Sequence, residues 1–363
     1  MDSRPSSLAR YLLAAYGLLV AYASLHPFSG WRDQGSGLLD FLAAPLLPRY
    51  FTAFDLIANV LAYTPLGILM VLALHPKVRG LRAWLLTALA GTLLSLCLEA
   101  LQSYLPARIP SGLDWTLNAT GSALGAAIGL ALAHAVVGHG ALRNLRHRIF
   151  RPGKQIDLGI VLLAGWFLTQ LNPETLLFGN GDLRELFQAA PKVLYPAATF
   201  VRVEALVSAA HIVTVALLVS LLVVEGGPKR RAFAIVLLGA CATRTFAFAV
   251  LFEVQGAFAW LTPGALIGLL AGTVAALGAL QMPRRLCIAL CGMLLMAATA
   301  LVNLAPDNPY LLNSLQVWPQ GHFLNFNGFT RLVSVLWPFG ALAYLLFSIT
   351  RARDASRSER TPG

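Results

Sequence analysis

Apolar stretches of membrane-spanning length alternate with short polar or basic segments along almost the whole chain. A helix of about 20 apolar residues crosses the hydrocarbon core of a bilayer, because each residue advances it by about 1.5 Å. Ten stretches each predict one transmembrane helix: roughly 8–26, 53–75, 83–105, 114–137, 157–172, 202–225, 232–253, 260–281, 286–304 and 332–350. The pattern therefore predicts an all-α, polytopic integral membrane bundle of about ten helices, of which the fifth is the shortest.

Composition and charge distribution support a membrane protein and give it an orientation. Hydrophobic residues make up 57% of the 363 residues and charged residues only 12%, whereas soluble domains average about 25% charged. Most of the 27 Lys and Arg residues lie between stretches that would share the cytoplasmic side with the N-terminus. This positive-inside pattern predicts that both chain ends are cytoplasmic. We therefore interpret the net charge of +11 as a topology signal and expect no nucleic-acid partner.

A basic connection divides the chain. It predicts a four-helix membrane domain over 1–138, a cytoplasmic linker over 139–157, a second membrane domain of about six helices over 158–350 and a basic cytoplasmic tail over 351–363. Several apolar stretches end in similar ways, as at Pro27, Pro173 and Pro306 in the first, fifth and ninth. These similarities indicate a degenerate four-helix repeat, although shared apolar composition explains them equally well.

Three neighbouring stretches contain acidic and amide residues at helical spacing. Residues three or four apart share one face of a helix. The faces consist of Asp55 and Asn59 on the second stretch, Ser95, Glu99 and Gln102 on the third, and Asp114 and Asn118 on the fourth. In the predicted orientation all three faces lie toward the outer side of the membrane. A carboxylate within a membrane helix tends to face a partner or a wet cavity and to mark function.

The carboxylates are the candidate catalytic residues. Glu99 lies about one turn inside its helix, which makes Glu99 and Asp114 candidates for proton transfer or cation binding. Structural roles compete with this interpretation. Asp55 and Asp114 open their helices, where a carboxylate caps free backbone amides. The alternative for Glu99, less favoured than a site for a substrate, a proton or a metal, is a structural lock with Arg108 or Asn118 that fixes the bundle.

The surrounding residues are candidates for ligand binding and helix packing. The expected ligand-binding set comprises Asp55, Asn59, Gln102, Arg108 and Asn118, with Arg108 holding an anionic headgroup. The glycines Gly121, Gly125 and Gly129 follow the spacing that lets membrane helices approach closely. In the second half, Arg244 lies inside a stretch and needs a partner, for which Glu204 and Glu253 are candidates. No metal-binding spacing of Cys or His is recognisable, and the sequence names no cofactor.

The ordered polar residues resemble those of a known family. The series comprises Tyr22-Ala-Ser24-Leu-His-Pro27-Phe28, Asp55, Asn59, Pro65-Leu-Gly67, Ser95, Glu99, Gln102, Arg108, Asp114, Asn118, Gly121 and Gly125. Over about residues 10–137 it is similar to the VanZ-like family, named after a protein associated with low-level teicoplanin resistance. The resemblance implies a bacterial inner membrane, a cell-envelope role and a link to glycopeptide resistance, and it supplies no reaction. The chain exceeds the short members by about six predicted spans.

Three functions are compatible with these residues. The favoured one is an outer-facing polar pocket that binds, and in a stronger form also modifies, a lipid or a lipid-linked cell-envelope precursor. A transporter or flippase is the first alternative, and it predicts a polar path that continues toward the cytoplasm. A non-catalytic membrane scaffold is the second, and it predicts a dry cluster of mutually paired side chains.

Overall fold

The chain folds as a bundle of helices joined by turns and loops. The computed structural model describes residues 6–45, 53–136, 141–184, 197–252, 254–305 and 324–358. Its helices are α1 (Ser7–Leu25), α2 (Asp40–Ala43), α3 (Ala53–Leu74), α4 (Gly80–Gln102), α5 (Gly112–Val136), α6 (Ala141–Ile149), α7 (Lys154–Thr169), α8 (Ala197–Leu222), α9 (Lys229–Leu251), α10 (Pro263–Ala279), α11 (Arg284–Leu304) and α12 (Leu324–Ser358), with a 3-10 turn at Val254–Gly256. Over the described residues there is no β-strand, only one isolated bridge between Phe150 and Val223.

The prediction of an all-α, polytopic membrane protein is confirmed. Within the described ranges, eight helices are long and apolar enough to cross a membrane: α1, α3, α4, α5, α8, α9, α11 and α12. The other two predicted spans correspond to α7, with 16 residues, and α10, with 17. At about 1.5 Å per residue these two helices cover roughly 25 Å, slightly less than a hydrocarbon core of about 30 Å. The orientation in the membrane stays a prediction.

The helices form two compact units, Met1–Arg148 and Ile149–Gly363. In the first unit α5 packs against α3 and α4, and α1 packs against α3. Glycines allow the closest of these contacts. A Cβ at Gly125 would lie 2.1 Å from the carbonyl oxygen of Thr64, and one at Gly121 would lie 2.4 Å from that of Val60. Gly129 continues the same face of α5. Main-chain atoms of two helices therefore meet directly, as small residues permit in membranes.

Helix α8 forms the centre of the second unit. Its side chains from 211 to 222 are all buried, and Trp166 and Leu217 belong to the surrounding apolar core. Helices α10 and α11 pack on α8, and α12 packs on α7. A Cβ at Gly272 of α10 would lie 2.7 Å from the Cα atom of Ala209, so a small residue is needed at this crossing.

Candidate functional site

Glu99 is a buried carboxylate at the end of α4, near the loop that leads to α5. Only 4% of its surface is exposed. Its Oε2 atom accepts a hydrogen bond of 2.9 Å from the backbone N–H of Ser111, just before α5 begins. Asp114 and Arg108 are close enough to act on it electrostatically. A carboxylate removed from water needs compensation, and a single main-chain amide supplies part of it.

Arg108 joins the loop between α4 and α5 to the end of α1. Its Nε donates to the carbonyl oxygen of His26 at 2.9 Å, and one terminal nitrogen donates to that of Ala23 at 2.5 Å. These carbonyls belong to the last turn and C-cap of α1, where the helix dipole favours a cation. Arg108 is thus held by main-chain oxygens, and its influence on Glu99 is electrostatic.

The charge of Arg108 also affects the neighbouring histidine. Partial burial lowers the pKa of the His26 imidazole, and the nearby Arg108 lowers that pKa further. Burial likewise lowers the pKa of the Arg108 guanidinium, while the proximity of Glu99 raises it. A guanidinium remains protonated at neutral pH. The positive Arg108 of this loop therefore disfavours the protonated form of His26 at the end of α1.

Two further pairs link the polar faces of α3, α4 and α5. The side-chain amide of Asn59 donates to Asp114 Oδ1 at 2.8 Å, which connects α3 to α5. The side-chain amide of Asn118 donates to Ser95 Oγ at 3.0 Å, which connects α5 to α4. The Oδ1 atom of Asn118 is buried and has no hydrogen-bond partner in the part of the chain that the structure describes. The three predicted polar faces, on α3, α4 and α5, therefore contribute to one cluster.

Gln102 and the segment after α1 complete this end of the unit. Gln102 donates to the carbonyl oxygen of Ser24 at 3.0 Å. Gln34 donates to the carbonyl oxygen of Ser103 at 2.8 Å, so the connection after α1 lies against the end of α4. The side chain of Asp55, a predicted ligand-binding residue, lies outside the described residues, although its backbone belongs to α3.

Residues that sequence reasoning did not select extend the cluster deeper along α4. Thr87, Gly91, Ser95 and Glu99 are spaced by four and share one face. A Cβ at Gly91 would lie 2.1 Å from Ser122 Oγ of α5, so these helices are in contact there. The hydroxyl oxygens of Thr87 and Ser122 are buried, with no hydrogen-bond partner among the described residues. The four-residue spacing of Thr87, Gly91, Ser95 and Glu99 could have identified this face from the sequence. The contact of Glu99 with the Ser111 amide could not have been identified in that way, because a backbone amide leaves no mark in a sequence.

Of the two predicted partners of Arg244 in the second unit, Glu204 acts on it electrostatically, but main-chain oxygens accept its shortest hydrogen bonds. Arg244 is buried and donates to the carbonyl oxygens of Asn172 and Thr175, the latter at 2.5 Å. Its guanidinium also lies 5.0 Å from the ring centroid of Phe248. Glu204 acts on it electrostatically and itself accepts a hydrogen bond from Thr262. The other predicted partner, Glu253, lies outside the described residues.

The polar cluster contains the types of side chain that charge binding and proton transfer require. Glu99 and Asp114 provide two carboxylates near one guanidinium, a set suited to cation binding, proton transfer or recognition of a polar headgroup. Across the described ranges, no three His, Cys, Asp or Glu side chains come together as a metal site would require.

Among the residues that the structure describes, an all-helical bundle with eight membrane-length helices and a buried polar cluster defines a multi-pass membrane protein. Residues 8–133 match the family model described as VanZ/LLP1, which confirms the resemblance over the N-terminal part of the chain. No curated protein and no solved structure matches the chain.

Proposed function

We propose that the first unit binds a lipid or a lipid-linked cell-envelope component at its Glu99 end, in the outer half of the bacterial inner membrane. The buried Glu99 carboxylate carries this proposal. It accepts one backbone N–H and forms no ion pair within the described residues, although burial of a charge normally demands a close partner. A ligand that brings a cation, a proton or a hydroxyl group would supply that partner.

The neighbouring residues would recognise the rest of the headgroup. The Arg108 guanidinium has five N–H donors and uses two of them on α1 carbonyls, which leaves donors for an anionic group. Asp114 is half-buried and already accepts from Asn59. In the stronger form of the proposal, Glu99 transfers a proton during modification of the ligand and Asp114 stabilises the charge that develops.

The family match supports a role in the cell envelope. Residues 8–133 contain every predicted residue of the cluster, so the matched part and the candidate site coincide. We extend the proposal to teicoplanin-type glycopeptide resistance, which would follow if the bound component is an intermediate of envelope synthesis.

A non-catalytic scaffold is the second candidate. The pairs Asn59–Asp114, Asn118–Ser95 and Gln102–Ser24 join four helices through direct hydrogen bonds. If the cluster is purely structural, substitutions there would lower the thermal stability and leave the bound lipids unchanged.

Native mass spectrometry of the full-length protein, purified in a mild detergent, separates the two candidates. We expect wild type to retain a lipid or lipid-linked glycan that Glu99→Gln and Arg108→Ala lose. The controls Asp33→Asn and Arg32→Ala make the same charge changes at exposed positions near this end of the unit. Identical bound species in all five proteins would refute the binding proposal and favour the scaffold.

A further inference from the structure

Two cavities in the second unit lie among the first residues of three helices. One, of about 200 Å³, is lined by residues that include Arg151, Ser220, Glu225, Lys229 and Arg284. The other, of about 190 Å³, shares Arg151 and Arg284 and adds Lys154 and Gln155. The two shared arginines make these cavities neighbours. In the predicted orientation the basic residues that line them lie at the cytoplasmic ends of their helices.

The lining of these cavities is strongly positive. Four cationic side chains face a single carboxylate. That carboxylate, Glu225, is 89% exposed and pairs with Arg151 at 3.2 Å. The remaining cations, Lys154, Lys229 and Arg284, have no ion-pair partner among the residues that the structure describes. Lys229 makes only a 3.4 Å hydrogen bond to the carbonyl oxygen of Leu280.

The helix starts add partial positive charge to the same place. Lys154, Lys229 and Arg284 are the first residues of α7, α9 and α11. The N-cap residues are Gly153, Pro228 and Pro283, and none forms a side-chain capping hydrogen bond. The first N–H of α9 already donates to the carbonyl oxygen of Gly227, and Asp157 lies in the first turn of α7, so α11 has the least compensated start. Uncapped first-turn amides and the helix dipole attract anions, phosphate groups above all.

A donor without an acceptor among the described residues lies in the first turn of α7, beside the second cavity. The side-chain nitrogen of Gln155, which lines the second cavity, is buried and has no acceptor in the described part of the chain. An unsatisfied buried N–H is unfavourable, so we expect the Gln155 amide to turn toward an acceptor that enters the cavity. The buried Ser220 provides a hydroxyl in the first cavity.

We propose that these neighbouring cavities bind a phosphate group, carried either by an anionic phospholipid headgroup or by a small soluble phosphate. Basic pockets between membrane helices on the cytoplasmic side suit phospholipid headgroups. The positive-inside rule alone explains why basic residues occur at this end. Arg230 and Arg285, one residue further on, satisfy that rule equally well and line neither of these two cavities.

Those two neighbours provide a matched control for a binding experiment. The full-length protein in a neutral detergent is titrated with dioleoyl phosphatidylglycerol, dioleoyl phosphatidylcholine or sn-glycerol 3-phosphate, and bound species are counted by native mass spectrometry. We expect the double variant Lys229→Gln/Arg284→Gln to bind the anionic probe about tenfold more weakly or worse. The control Arg230→Gln/Arg285→Gln removes the same charge and should bind like wild type. The charge-preserving variant Lys229→Arg/Arg284→Lys should also retain binding.

The probes distinguish the two sources of phosphate. Loss confined to phosphatidylglycerol identifies a lipid headgroup site, and parallel loss of glycerol 3-phosphate identifies a site for soluble phosphates. Equal weakening in the test and control variants, or no weakening in either, would overturn the proposal. All these residues belong to the second unit, so the outcome is independent of the test on Glu99.

Discussion

Glu99 shows how one residue can combine a structural contact with functional potential. Its carboxylate fixes the loop before α5 by accepting the Ser111 amide, yet it is 4% exposed and lacks a close cation in the described part of the chain. Burial without a counter-charge is unfavourable for the ionised form, so an ionised Glu99 lowers the stability of the fold. Such a cost is common where a side chain is required for binding or chemistry.

Substitutions at Glu99 should separate the hydrogen bond from the charge. Glu99→Gln keeps an oxygen for the Ser111 amide and removes the buried charge, so we expect stability within about 1 kcal/mol of wild type. Glu99→Ala leaves the amide without an acceptor and creates a void, so we expect a loss of about 2 kcal/mol. Thermal unfolding in detergent measures both, with Glu225→Ala as an exposed control. Equal destabilisation by Gln and Ala would contradict this account.

At the scale of elements, glycine and serine positions set how closely the helices of the first unit approach. Gly91 of α4 faces Ser122 of α5, and Gly125 of α5 faces the main chain of α3 at Thr64. The same faces carry Ser95 and Glu99, so close packing brings the polar groups within hydrogen-bonding distance. Helix contact and the polar cluster therefore depend on one another.

A residue exchange across α4 and α5 tests this dependence. A methyl group at Gly91 would lie 2.1 Å from Ser122 Oγ and 2.5 Å from its Cβ. We expect Gly91→Ala to destabilise the protein by about 1–3 kcal/mol through overpacking. Adding Ser122→Gly should restore much of that loss, because the clashing atoms are removed. Gly17→Ala, with nothing within 4 Å of the added methyl, is the control. A double variant no more stable than Gly91→Ala would argue against direct contact.

The sequence allowed the helices and the three polar faces to be predicted, because apolar length and four-residue spacing are local properties. The pairing of Asn59 with Asp114, 55 residues apart, depends on which helices become neighbours. The contacts of Arg108 with the end of α1, 82 and 85 residues away, depend on the path of a loop without periodicity. The role of the Ser111 backbone amide was beyond prediction, since every residue except proline has such a donor.

At the scale of the whole molecule, the two shorter helices decide the topology. If α7 and α10 cross the membrane, the basic run Lys229-Arg230-Arg231 lies on the cytoplasmic side. If neither crosses, that run moves to the outer side, against the positive-inside rule. A helix of 16 or 17 residues can still span, because a bilayer thins locally around a short apolar segment at modest cost.

Cysteine labelling distinguishes the two topologies. In a variant without Cys97, Cys241, Cys287 and Cys291, single cysteines replace Glu174 or Glu225, and spheroplasts are treated with a membrane-impermeant maleimide. With ten spans and a cytoplasmic N-terminus, position 174 is labelled and position 225 is protected. With eight spans the pattern reverses. Permeabilised cells, in which both positions must react, provide the control.

The central claim is that a ligand headgroup lies beside Glu99 in the first unit. An electron cryo-microscopy map of the full-length protein in discs of its native lipids would test it most directly. We predict density for a polar headgroup within hydrogen-bonding distance of Glu99 or Arg108, lost in Glu99→Gln with the helices unmoved. A wild-type map in which Glu99 contacts only the Ser111 amide, and Arg108 only the carbonyls of α1, would contradict the claim.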